Sequence, residues 1–583
     1  MKKVFALLLL LIVCYSCDLS KYQLVVDYDF ETQFEKSGGT ETATYQQVID
    51  FYTELEEAYP TVTFTEVGET DSGKPLHLAV FSPTEEFDLE EIRKDKTIIL
   101  INNGIHPGES DGIDATMMLF RDLAGDSIEV PANTVIATIP IYNVGGALNR
   151  NSTSRTNQNG PVEYGFRGNA QNYDLNRDFI KADTKNTRSF YRVFQNLKPD
   201  VFIDTHVSNG ADYQYTLTHL FTQHNKLGGE LGEYLNNRMM PALEDSLKLK
   251  NLPITPYVNV FNDVPEKGFS QFFDYPRYST GYAALWNTLS MMVETHMLKP
   301  YAQRVNATYE LLRSMISITN AETPTIKDLR ERETKKYLTQ RWYPAKWEAD
   351  MENPSTREFL GYEGASIKSE VTGQPRLKYD RERPFSKEVK YYDNFVSKDR
   401  IEIPRAYIVP QGWWKVTSLL ELNNIKMQPL AKDTTIYVET YRIEDYQTTE
   451  SPFEGHYLHH GTEVSKTMDS IFFRKGDLYV TTFQDGARYL VETLEPTTAD
   501  SFFNWNFFDT VLQQKEHFSP YVFEDMAKKL LDENPQLKEE FEDKKQNDAS
   551  FRRDGYAQLD WIHKNSLYYE KAHLRYPVFR VPR

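Results

Sequence analysis

The sequence predicts an α/β domain whose sheet is covered by helices on both faces, followed by a smaller β-rich domain and a helical tail. Short unbroken apolar runs at 97–102, 134–142, 201–205 and 289–293 alternate with helical patterns such as 112–123 and 185–197. Runs of that length without polar alternation mark strands buried on both sides. Ahead of them, residues 45–59 read as an amphipathic helix and 61–81 as a hairpin around Asp71-Ser72-Gly73-Lys74. Beyond about residue 330 the pattern shifts to charged sequence and then to short aromatic and β-branched stretches at 434–441, 470–473 and 478–483. A chain of 583 residues exceeds what one core supports. The expected division is 44–325 for the α/β domain, 326–345 for a linker, 346–500 for the β-rich domain and 501–583 for a helical and irregular end.

A hydrophobic content of 40% suffices for packed domains, and a mean hydropathy of −0.58 excludes a polytopic membrane protein. The net charge of −19 repels phosphate backbones, so nucleic acid is not an expected partner. Lys2 and Lys3 precede an apolar run over 4–13 and then small or polar residues, the layout of an export signal. That run is too short to span a bilayer as a helix. Cleavage before Cys17 resembles the processing of a bacterial lipoprotein, with Cys17 as the lipidated residue; plain secretion is the alternative. Location in the periplasm or at the cell surface, as an outer-membrane lipoprotein in one form, follows as an expectation, with 18–43 as a tether. Both cysteines, Cys14 and Cys17, lie in this leader. The remainder can form no disulfide and offer no thiolate, so any metal must sit on His, Asp and Glu.

Candidate functional groups gather at or between the ends of the apolar runs. The run at 97–102 leads into His106-Pro107-Gly108-Glu109, the run at 201–205 ends in His206, and the run at 289–293 ends in Glu294. Asp174-Leu175-Asn176-Arg177 lies in a polar loop between them. Ligands of open α/β sheets bind outside the carboxyl ends of the strands, so these distant residues can meet. Two imidazoles and one carboxylate suit a catalytic zinc ion, one per chain, which keeps a further position for water. His106, Glu109 and His206 are the candidate ligands. Glu294 is the candidate general base beside that water. A ligand histidine usually hydrogen-bonds an acceptor through its other nitrogen, and Asp174 is a candidate for that acceptor.

These segments resemble the zinc metallocarboxypeptidases of the carboxypeptidase A type, the funnelins. The resemblance rests on His106-Pro107-Gly108-Glu109, on the stretch from Arg167 through Asp174-Leu175-Asn176-Arg177 to Phe179, and on Asp204-Thr205-His206. Glu66 to Leu76 is similar to the family's early hairpin, and Ile139 to Gly146 to its strand before the arginine loop. The likeness covers about residues 45–323. It implies a mixed, mostly parallel sheet sandwiched by helices. It also implies zinc on His106, Glu109 and His206, with Arg167 stabilising the oxyanion and Asp174 orienting His106. Asn176 and Arg177 would hold the terminal carboxylate of a peptide, Glu294 would be the base, and Tyr278 would close over the substrate. Tyr275 and Tyr282 compete for that last role. The spacing from Arg167 to Asp174-Leu175-Asn176-Arg177 is similar to that of the branch containing carboxypeptidases E, D and N.

A lone His-x-x-Glu pair is common and means little; the ordered combination carries the reading. The cluster Gly455-His456-Tyr457-Leu458-His459-His460 reads as an exposed hairpin rather than a second metal site. Trp413, Trp414 and Trp505 read as core or interface anchors. The implied activity is removal of C-terminal residues from peptides with a free carboxylate. Cell-wall peptide trimming, a zinc deacylase and a catalytically dead peptide- or glycan-binding protein are the competing readings.

Overall fold

The computed structural model describes residues 28–583. The expected export signal and Cys17 lie outside them. Among the described residues no helix is long and apolar enough to cross a membrane.

The first half is built on an eight-stranded mixed sheet in the order β1-β2-β4-β3-β5-β9-β6-β7. Its strands are β1 (Val62–Glu69), β2 (Pro75–Phe81), β3 (Thr97–Asn102), β4 (Thr134–Ile139), β5 (Val201–Ser208), β6 (Leu217–Phe221), β7 (Thr255–Pro256) and β9 (Leu289–His296), with β8 (Phe269–Ser270) in a separate sheet. The central four, β4-β3-β5-β9, run parallel, and the β1-β2 hairpin and β6 add antiparallel neighbours. Every residue of β3, β4 and β5 is buried, as unbroken apolar runs require when helices cover both faces. Helices Asp111–Ala124 and Tyr301–Ala321 pack on one face, and Lys185–Leu197 packs on the other.

The helix Asp111–Ala124 must approach β5 closely. A Cβ on Gly112 would come within 2.1 Å of Thr205 Oγ1, so only glycine lets the helix start directly beneath the strand that carries His206. Asp111 at that helix start accepts from the fully buried Arg304 at 2.9 and 3.2 Å. Arg304 also donates to the carbonyls of Asn159, Gly160 and Lys299, tying a long surface loop to the core.

The second half holds β10 (Trp342–Ala349) paired with β13 (Phe395–Glu402), and the long hairpin β11 (Ser355–Lys368)–β12 (Pro375–Tyr392). A six-stranded sheet follows in the order β15-β18-β14-β19-β16-β17. Its strands are β14 (Ala406–Val409), β15 (Gln428–Pro429), β16 (Thr434–Thr448), β17 (His459–Phe473), β18 (Leu478–Thr481) and β19 (Phe579–Val581).

Several expectations need correction. Residues 326–345 are not an open linker: they lie in helix Thr323–Thr339 and the start of β10. Ile326, Leu329, Glu333 and Tyr337 give that helix a buried stripe, and Arg332–Asp328 and Lys335–Glu331 pairs decorate its outside. The described part of 18–43 is packed rather than a free tether. Helix Gln33–Lys36 is closed by a capping box, and Phe34 is buried edge-on against Tyr301 at 5.8 Å. The β-rich region is not closed at 500, because β19 at the far end of the chain inserts between β14 and β16.

Arg304→Met would leave the buried Asp111 carboxylate without its cation. The expected loss is about 3–5 kcal/mol of folding free energy, read from urea melts of the two proteins.

Candidate metal centre and active-site cavity

The parallel strands deliver the site at their carboxyl ends. After β3 the chain turns through Gly104, at φ 65°, and reaches His106 and Glu109 in a tight turn closed by Glu109 N–H to His106 O at 2.7 Å. His206 lies on β5 and Glu294 on β9, directly paired in register. His106, Glu109 and His206 offer ligand atoms that all lie within 4.8 Å of one another, and all three are buried.

Both imidazoles are oriented from behind. Nε2 of His106 donates to Asp174 Oδ1 at 2.9 Å, and Nε2 of His206 donates to Asp204 Oδ2 at 3.0 Å. A carboxylate can only accept, so each Nε2 carries the proton and each Nδ1 presents a lone pair inward. The Nδ1 atoms lie 3.2 Å from Glu109 Oε1 and from Oε2, respectively. Glu109 is itself fixed by the Val207 N–H at 2.9 Å. This donor set fits a divalent cation that takes nitrogen and oxygen ligands, zinc among them.

The electrostatics agree. Burial opposes ionisation of Glu109, but His106 and Arg155 outweigh it and hold the carboxylate well below its usual range. Burial likewise opposes a charged His206, yet Asp204, Glu109 and Glu294 push its pKa well above normal, so a cation at its Nδ1 would bind in place of a proton. Glu294 is pushed up to about 7, first by burial and then by Glu109 and Asp204, with His206 and Arg167 opposing.

The other expected residues surround the same cavity of about 550 Å³, which is lined by His106, Glu109, His206, Glu294, Arg167, Asn176, Arg177 and Tyr278. Arg167 grips Asp174 Oδ2 through Nε at 3.1 Å and Nη2 at 2.8 Å, leaving Nη1 3.6 Å from Glu109. Asn176 is held by the Ser279 N–H at 3.1 Å, and the Arg177 guanidinium lies 4.6 Å from the Tyr278 ring centre. Of the three candidate tyrosines, Tyr278 lines the cavity. Tyr282 is fully buried and donates to Asn423, and Tyr275 faces a different cavity.

Three contributors were given no role from the sequence. Asp204 stands two residues before His206, so strand alternation puts both on one face; that spacing was the available signal. Arg155 reaches Glu109 Oε1 at 3.1 Å from a polar loop. Tyr257 lines the cavity near Glu294 and Glu109. Neither loop residue carries a local pattern. The β-rich half also touches the site: Glu454 Oε2 accepts from the Asp174 N–H at 2.8 Å. In the histidine cluster, His456 meets Asp183 at 2.8 Å and the buried His459 meets Thr448 and Asp509, so these are structural contacts. Trp505 is fully buried and Trp413 packs on Phe508, as anchors do, whereas Trp414 is 65% exposed.

Two imidazoles and one carboxylate at the strand ends of a mixed sheet, with a half-buried acid beside them, are a donor set that fits a metal-dependent hydrolase. The profile of the family described as zinc carboxypeptidase matches residues 48–203, about a quarter of the chain, and supports a peptide hydrolase. The chain is similar to the metallo-carboxypeptidase of Burkholderia cenocepacia, with 17% identity and a TM-score of 0.36 over 48% of this chain and 70% of that one. It is similar to carboxypeptidase A of Helicoverpa armigera, with 15% identity and a TM-score of 0.37 over 48% and 74%. The metallo-carboxypeptidase of Pseudomonas aeruginosa in complex with (2-guanidinoethylmercapto)succinic acid gives 12% identity and a TM-score of 0.36 over 49% and 70%. No curated protein sequence matches the chain significantly.

Asp174→Asn and Asp204→Asn are each expected to weaken zinc affinity about 10–100-fold, measured by competition against a chromophoric chelator.

Proposed function

We propose that the chain is an exported zinc metallocarboxypeptidase that hydrolyses the last peptide bond of peptides ending in a free carboxylate. The observation that carries this is the meeting, in one cavity, of the His106–Glu109–His206 donor set, the unpaired acid Glu294 and the Asn176–Arg177 pair.

A zinc ion held by those donors supplies Lewis acidity, which brings the pKa of a water towards neutrality and polarises a carbonyl. Glu294 faces the same space from β9, where a carboxylate beside a metal-held water can act as general base. Its carboxylate takes a proton from the attacking water and passes it to the departing amine. Arg167 offers Nη1 to the carbonyl oxygen as negative charge develops there, with its remaining nitrogens fixed on Asp174. Arg177 can grip the terminal carboxylate with two hydrogen bonds, and Asn176 adds an amide donor beside it. Tyr278 stacks on Arg177 and walls that end of the cavity.

Export rests on Lys2, Lys3, the apolar run over 4–13 and Cys17 as the lipid acceptor. Loss of membrane association in Cys17→Ser, read by cell fractionation, supports the lipid anchor, and its retention removes that part of the proposal.

Glu294→Gln is expected to keep zinc and lose about 10²–10⁴-fold in kcat, followed by release of free amino acid. Peptides blocked as C-terminal amides should resist cleavage. Equal hydrolysis of amidated and free-acid peptides would overturn the carboxypeptidase reading.

A further inference from the structure

The tip of the β16–β17 hairpin, in the β-rich half, reaches the loop that carries Arg167, Asn176 and Arg177. Thr448 pairs with His459, the Thr449 N–H donates to Leu458 O at 3.0 Å, and the chain between them folds back in a second, tighter turn. Phe453 and His456 exchange both backbone hydrogen bonds, at 2.7 and 3.1 Å, which leaves Glu454 and Gly455 as the two turn residues. Both have positive φ, 48° and 80°. Two-residue hairpins with both central residues at positive φ favour Asn-Gly and Asp-Gly, and a glutamate there is uncommon. Contact also requires Gly455, since a Cβ on it would stand 2.8 Å from the Tyr173 hydroxyl.

The tip is held at two anchors. His456 meets Asp183 at 2.8 Å, and Asp183 shares the buried Lys181 with Asp178, each 2.8 Å from its ammonium. Phe453 stacks on the fully buried Trp505 at 6.1 Å, and the Arg277 guanidinium lies 5.7 Å from the Phe453 ring. Between these anchors Glu454 Oε2 accepts from the Asp174 N–H at 2.8 Å. Asp174 opens the turn Leu175–Arg177, and its carboxylate is a junction of the site. Its Oδ1 accepts from His106 and from the Asn176 N–H at 2.9 Å each, and its Oδ2 accepts from Arg167 at 2.8 Å. A backbone conformation that glutamate disfavours is thus kept where its carboxylate meets this junction, which marks a residue retained for reach rather than for turn stability.

We propose that Glu454 is a positioning residue for the active site, supplied by the β-rich half. By holding the Asp174 amide it fixes the Asp174 carboxylate, and through it the direction in which Arg167 and Asn176 face the cavity. Its consequence for turnover rests on the peptidase reading above. Asparagine at this position suits the turn backbone better, but it is one methylene shorter and withdraws the acceptor from the amide. Glutamine keeps the length and an acceptor oxygen and loses only the charge. Turn preference and placement of the site therefore pull the two substitutions in opposite directions.

The test reads the brace and its consequence separately. Glu454→Asn and Glu454→Gln are made in the full chain and loaded with zinc. Hydrogen exchange over residues 168–178, followed by mass spectrometry, reports the brace. Its consequence is read as kcat/KM for whichever N-acylated dipeptide, of a set ending in Phe, Leu, Lys or Glu, the native chain cleaves fastest. Glu454→Asn is expected to melt no lower than the native chain, to exchange about tenfold faster in that segment and to lose about tenfold in kcat/KM. Glu454→Gln should stay within about threefold of native in both. Unchanged exchange in the asparagine variant overturns the proposal, as does faster exchange with kcat/KM unchanged. A lower melting midpoint in that variant, or a glutamine variant that falls as far, makes Glu454 an ordinary structural contact and overturns it too. Faster exchange in the asparagine variant, combined with no release of amino acid by the native chain, upholds the brace and removes the peptidase reading instead.

Discussion

The residue-for-residue pairing of β5 with β9 is the constraint on which the site rests. His206 and Glu294 are neighbours because two parallel strands share one register, from Val201–Leu289 to Ser208–His296. A slip of one residue would turn Glu294 and Met292 to the opposite face and replace them with Val293 and Thr295. The register is fixed by more than backbone bonds. Thr295 at the end of β9 donates to Asp111, which is also clamped by Arg304, so the strand end is pinned to the helix beneath it.

Holding Glu109, Asp174, Asp204 and Glu294 around two imidazoles is electrostatically costly, since buried like charges repel and lose hydration. The fold offsets part of this with named partners. Asp204 accepts from Asn102 at 3.1 Å and from Ser279, and Asp174 is neutralised by Arg167. Glu294 has no such hydrogen-bonded partner, and burial, with Glu109 and Asp204 nearby, pushes its carboxyl up from the ordinary glutamate range.

The catalytic half was readable because its information is local. Buried parallel strands leave unbroken apolar runs, and the runs at 97–102 and 201–205 anticipated β3 and most of β5. The groups at the run ends followed from that placement. Less was readable where packing depends on distant partners. Phe30 and Phe34 sit in a polar stretch whose composition suggests a tether, and only the core they meet makes it structured. The three residues of β19 are too few to announce a strand, and their partners are more than 100 positions away. Arg155 and Tyr257 enter the cavity from loops, where no periodicity marks which side chain turns inward.

The contact between Glu454 and the Asp174 backbone divides the labour of the two halves. The metal donors hang from the central sheet and its first turns. The groups that would grip a peptide's tail hang from a loop and a strap that the β-rich half holds: Glu454 on the Asp174 amide, and Asp500 on Arg277, next to Tyr278. A shortened polypeptide ending near 325 would lose that outer brace, along with the core that Phe202 and Tyr282 share with Tyr407 and Tyr489.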